Sequence, residues 1–84
     1  MKEIIYEAAA AHGLSGPYLV SVAQCESGLN PNAVNAAGYH GLFQFDYTTW
    51  NAYGNGSIYD PAAQAQAAAA LIAGGEAERW PNCA

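Results

Sequence analysis

The strongest constraint on this chain is the regular placement of residues that end and start helices along its 84 positions. Gly13, Gly28, Gly54-Asn55-Gly56 and Gly74-Gly75 each stand where a glycine ends a helix, often in the left-handed conformation. Ser15-Gly16-Pro17 and Asp60-Pro61 each couple a capping side chain to a proline suited to a first helical turn. Between these signals, Ile4, Ile5, Ala8, Ala9 and Ala11 recur with a helical period and predict a helix over 2–12. Further helices are expected from Tyr18 to Ser27, from Tyr47 to Tyr53 behind Asp46 as N-cap, and from Ala62 to Ala73, followed by a last turn from Glu76 to Trp80. Asn30-Pro31-Asn32 and Ala37-Gly38 are turn chemistry, so 30–45 is expected to hold a small hairpin or an irregular loop. The expectation is therefore a mainly α fold in one domain over 1–84, because a chain this short cannot bury two separate cores. The alanines of 62–73 imply close helix packing, and no internal repeat is visible.

Composition narrows the functional classes. The chain is 52% hydrophobic and 11% charged, enough apolar surface to offset chain entropy and exclude intrinsic disorder. Two basic side chains against seven acidic ones give a net charge of −5, which argues against nucleic acid or anionic membrane surfaces as partners. No apolar run reaches the roughly 18 residues of a membrane helix. Met1 to Ala11 carries Lys2, Glu3 and Glu7 and lacks a continuous apolar core, so no secretory signal is expected in this stretch. Cys25 and Cys83 have no C-x-x-C partner, which leaves a disulfide or two free thiols. If they pair, the loop closed is long enough to stabilise by about 4 kcal/mol, and the protein works outside a reducing cytosol.

Glu26 is the position with the most chemical content. Leu19, Val22, Ala23 and Glu26 fall at i, i+3, i+4 and i+7, so the carboxyl shares the apolar stripe of its helix. A carboxyl on such a face, with no cation in helical reach, has its pKa raised and is suited to act as a general acid near neutral pH. The bland alternative is a partly exposed glutamate at a helix end.

The residues that follow form a recognisable string. QCESGLNPNAV and then GYHGLFQFDYTTW, ending in the Arg79-Trp80-Pro81-Asn82-Cys83 tail, resemble the lysozyme-like glycosidases that cut bacterial peptidoglycan. The likeness is to the catalytic domain of resuscitation-promoting factors, with features of soluble lytic transglycosylases and phage-borne lysins, and it covers roughly residues 17 to 84. It implies a minimal lysozyme-like fold with a short hairpin or loop beside the cleft, Glu26 as the catalytic acid and a Cys25–Cys83 disulfide. It further implies that Tyr39, Gln44, Thr49 and Trp50 line the glycan groove, with Gln64 or Gln66 contributing from the penultimate helix. Chemistry points the same way, since cleaving a glycosidic bond requires a proton delivered to the leaving oxygen.

A second carboxylate, if one is used, would be Asp46, which serves equally well as a helix N-cap. Lytic transglycosylases manage without one, because the substrate's own N-acetyl group or 6-hydroxyl completes the reaction. The resemblance implies as substrate the β-1,4 bond between N-acetylmuramic acid and N-acetylglucosamine; no cofactor and no metal, a monomeric chain, and a location outside the cell, at the cell wall or in a phage particle, are expected. Aromatic side chains serve sugar stacking and core packing alike; Trp50 is expected to be partly buried and Tyr39 groove-facing. Three other readings are open: a Cys25 thiol working with His12 or His40, a zinc site from Cys25, Cys83, His12 and His40, and a glycan-binding module with little turnover.

Overall fold

The computed structural model describes residues 1–84 as four helices, α1 (Lys2–Ala11), α2 (Gly16–Ser27), α3 (Tyr47–Tyr53) and α4 (Pro61–Ala73), followed by a 3-10 turn at Ala77–Arg79. The architecture is the expected small, mainly helical, lysozyme-like one with a single disulfide joining Cys25 to Cys83. No helix is long and apolar enough to cross a membrane.

The caps explain the boundaries. α1 stops at Ala11, one residue short of the expected end, because Gly13 takes φ +71 and the chain turns back on itself. Gly13 N–H then reaches Ala10 O at 3.3 Å and Leu14 N–H reaches Ala9 O at 2.9 Å, which satisfies the carbonyls left open at the helix end. At the start of α2 the Ser15 hydroxyl accepts from Tyr18 N–H, and Pro17 occupies the first turn. The Asp60 carboxylate accepts from Ala62 N–H at 3.0 Å, and Pro61 opens α4.

Alanine sets the packing distance at the centre. Ala8 and Ala9 on α1 and Ala65, Ala68 and Ala69 on α4 are fully buried, so these helices approach without long side chains between them. α1 also packs on α2, whose Leu19, Val22 and Ala23 are fully buried. The core extends from there into the loop region through Leu42, Phe43 and Phe45. Phe45 meets both tryptophans edge-on, Trp50 at 5.3 Å and Trp80 at 5.8 Å between ring centres.

The stretch between α2 and α3 is a rudimentary hairpin. Val34 pairs with His40 and His40 with Phe45, each as an isolated antiparallel bridge. His40 and Phe45 exchange both backbone hydrogen bonds, at 2.8 and 2.9 Å. Gln64 holds this ribbon to the helices. Its side chain, fully buried on α4, accepts from Leu42 N–H and donates to the carbonyls of Pro31 and Ile58. Gly41 is required where the ribbon crosses this amide, since its φ is +81 and a Cβ there would collide with the Gln64 side chain.

Candidate active site

A cleft of about 230 Å³ opens between the ribbon, the start of α3 and the C-terminal tail. Tyr39, Gln44, Asp46 and Thr49 line it. Phe45, Arg79 and Trp80 complete its walls. Gln44 sits in the left-handed region at φ +56, a conformation unusual for a residue with a Cβ. Its amide donates to Gly41 O at 2.9 Å and to Ala33 O at 3.4 Å, which fixes its side chain across the turn that it makes.

Asp46 is both a cleft wall and the N-cap of α3. Its carboxylate accepts from Thr49 N–H at 2.8 Å. The Thr49 backbone N–H and hydroxyl, with a smaller contribution from the Arg79 guanidinium, hold its pKa below the usual aspartate value. Asp46 is therefore an ionised group that caps α3.

Glu26 is in the opposite state. It lies half-buried in the last turn of α2, and its carboxyl makes no hydrogen bond or ion pair within the protein. Burial raises its pKa above the ordinary glutamate value, as the apolar-stripe argument anticipates. It is not one of the cleft's wall residues. The link to the cleft runs through its neighbour, because Cys25 is bonded to Cys83, at the end of the tail that carries Arg79 and Trp80. Just beyond α2, Gly28 and Leu29 take φ of +66 and +62, so the chain leaves the helix in a tight left-handed turn toward the ribbon.

Two expected groove residues are placed elsewhere. Trp50 is 5% exposed and its indole N–H donates to Gly56 O at 3.0 Å. The ring packs against Phe45 and over Gly54, so it supports the cleft from within and is not one of its walls. Gln64 is fully buried and spends its amide on the interior groups named above, so it offers the groove nothing. Gln66, its alternative, is exposed and meets His12 Nε2 at 3.0 Å, beside a second and shallower hollow.

The four residues weighed as a thiol or zinc site are separated. Cys25 and Cys83 bond to each other, His12 pairs with Gln66, and His40 Nδ1 lies 2.9 Å from the Tyr59 hydroxyl. Arg79 and Trp80 line the cleft although the sequence reading assigns them no place in the groove. The signal was present, since a Cys25–Cys83 bond necessarily brings the residues just before Cys83 to the end of α2.

The family model of a transglycosylase-like domain matches residues 15–83, from the cap of α2 to the second cysteine. The chain belongs to the transglycosylase-like domain family. Among curated proteins, the resuscitation-promoting factor RpfC of Mycobacterium tuberculosis (strain Erdman) is 38% identical over 80 residues, covering 89% of this chain and 56% of that protein. A resuscitation-promoting factor of Corynebacterium glutamicum is 40% identical over 68 residues, covering 74% of this chain and 35% of that protein. The transglycosylase-like domain described here thus spans little more than half of one relative and about a third of the other. The match takes in α2, the ribbon, α3, α4 and the tail, which together carry Glu26, every wall of the cleft and the disulfide.

Proposed function

We propose that this domain cleaves peptidoglycan glycan strands at the β-1,4 bond between N-acetylmuramic acid and N-acetylglucosamine, with Glu26 as the general acid. The observation that carries the reading is the state of Glu26: half-buried, without a partner, and raised in pKa by desolvation alone, in a chain of the transglycosylase-like family. A carboxyl in that state holds its proton at a pH where an exposed glutamate has lost it.

In the reaction, the Glu26 proton passes to the glycosidic oxygen as its bond to the muramic C1 breaks. Positive charge develops on the sugar ring. The 6-hydroxyl of the same muramic residue then bonds to C1 and returns its proton to the Glu26 carboxylate, so the acid is restored and an anhydro end is formed. Water in place of the 6-hydroxyl gives a reducing end by the same first step. Asp46, kept ionised by Thr49, has the charge needed to stabilise the cationic ring, without a role as nucleophile. Tyr39, Gln44 and Thr49 hold the strand in this reading, with Trp80 as the apolar floor.

The 84 residues act as one catalytic domain and as a monomer. A disulfide-bonded enzyme of this kind works at the cell wall, outside a reducing compartment. One observation favours a second reading: Glu26 stands outside the walls of the cleft, as expected of a module that binds glycan and turns it over poorly. Incubation with purified sacculi separates the two, because an enzyme releases soluble muropeptides and a binding module only sediments with the wall.

A further inference from the structure

The chain has only two basic side chains, and they are placed very differently. Lys2 begins α1, an element that contributes nothing to the cleft, whereas Arg79 is a wall of it. Arg79 is also fixed from two directions. Its Nε and Nη2 both lie 2.9 Å from Glu76 Oε1, and its guanidinium carbon stands 5.1 Å over the centre of the Tyr53 ring at the end of α3. A guanidinium clamped by a carboxylate on one edge and an aromatic face beneath loses little side-chain freedom on binding a ligand. Its Nη1 edge makes no hydrogen bond within the protein.

The surrounding charge makes this placement informative. The chain carries a net charge of −5 and the cleft itself holds the ionised Asp46, so Arg79, though paired with Glu76, is the one cationic wall that an anionic substrate meets there. Peptidoglycan strands are anionic because each muramic unit bears a lactyl ether whose carboxyl is either free or extended into a peptide. We infer that Arg79 is a specificity residue that reads a carboxylate carried by the muramic side of the strand, an inference that rests on the glycan-cleaving reading above. Tyr39, Gln44 and Thr49 carry no positive charge, so among the cleft's walls only Arg79 offers a cationic donor to a carboxylate. The same site discriminates against neutral polymers of N-acetylglucosamine, which offer no carboxylate to the Nη1 edge.

The test uses glycan strands freed of their peptides, so that the lactyl carboxylates are exposed, beside the same strands after conversion of those carboxylates to methylamides. Fragment release by the disulfide-bonded chain is measured on both, with Arg79→Gln and Arg79→Lys as variants. The native chain is expected to cut the charged strands about tenfold faster or more than the amidated ones, in the range of one charge-assisted hydrogen bond. Arg79→Gln is expected to cut charged and amidated strands at the same rate, and Arg79→Lys to retain part of the preference. An equal loss on both substrates in Arg79→Gln would overturn the inference and make Arg79 a packing partner of Tyr53 and Glu76. A native chain that cuts both forms at the same rate would overturn it while leaving the proposed function standing. A native chain that cuts neither would remove both.

Discussion

Cys25 and Cys83, 58 positions apart in sequence, are joined by the one disulfide of the chain, and this bond sets the residue before Glu26 against the tail that walls the cleft. The tail is also anchored through Trp80, whose indole N–H donates to Phe43 O at 2.8 Å. Site and stability therefore share a constraint.

Removing the bond should lower stability more than any single surface change. Closing a loop of this length stabilises by about 4 kcal/mol on the chain-entropy model, which corresponds to roughly 15–30 °C in Tm for a domain of this size. Thermal melts followed by circular dichroism, with and without reductant and with a Cys25→Ser, Cys83→Ser double variant, are expected to show that drop. A melt that does not move under reduction contradicts it.

Gln64 is predicted to be more important to the fold than its polar character suggests. Replacement by leucine leaves Leu42 N–H and the carbonyls of Pro31 and Ile58 without partners in the interior. The cost is expected to be about 3 kcal/mol or more, read by urea unfolding. Gln66→Leu, two residues on and at an exposed position on the other side of α4, should change stability by less than about 0.5 kcal/mol.

Asp46 separates capping from charge. Asparagine caps a helix as well as aspartate does, whereas alanine costs about 1 kcal/mol. Asp46→Ala is therefore expected to lower the Tm, and Asp46→Asn to leave it nearly unchanged at neutral pH while slowing glycan cleavage if the negative charge stabilises the reacting sugar. Because the folded pKa is depressed, the stability that this carboxylate contributes is present above the ordinary aspartate value and is lost as pH falls through the depressed one. The asparagine variant should not show that acid-side loss.

The pH dependence of Glu26 has the reverse sign. Its folded pKa is raised above 4.5, so the folded state holds this proton more tightly than the unfolded one. Stability should fall as pH rises from the ordinary glutamate value to the raised one, then level off. Turnover should decline through the same raised value, as the acid loses its proton. Glu26→Gln removes this contribution, and its stability curve at neutral pH should lie no lower than that of the native chain.

Much of this was legible in the sequence because helix ends are local. Asp46, Asp60 and Ser15 announce caps, Gly13 and Gly28 announce stops, and the four helices begin and end within a residue or two of the expected positions. Glu26 was legible because three apolar neighbours fix the register of its helix. Gln64 was not, because a run of alanines gives α4 no polar face against which to orient it. The place of Trp50 was not legible for a different reason, since an indole serves a sugar and a core equally well and here its N–H goes to the Gly56 carbonyl. The contribution of Arg79 and Trp80 depends on a contact across most of the chain, which no local pattern encodes.

The most direct test of the central claim is mass spectrometry of the fragments released from purified peptidoglycan by the native chain and by Glu26→Gln. The account predicts muropeptides with anhydro-muramic ends from the native chain and a loss of at least about a thousandfold in the variant, which should keep the native melting curve. Release of the same fragments by folded Glu26→Gln would contradict the assignment of Glu26, and absence of fragments from the native chain would leave a glycan-binding domain in place of an enzyme.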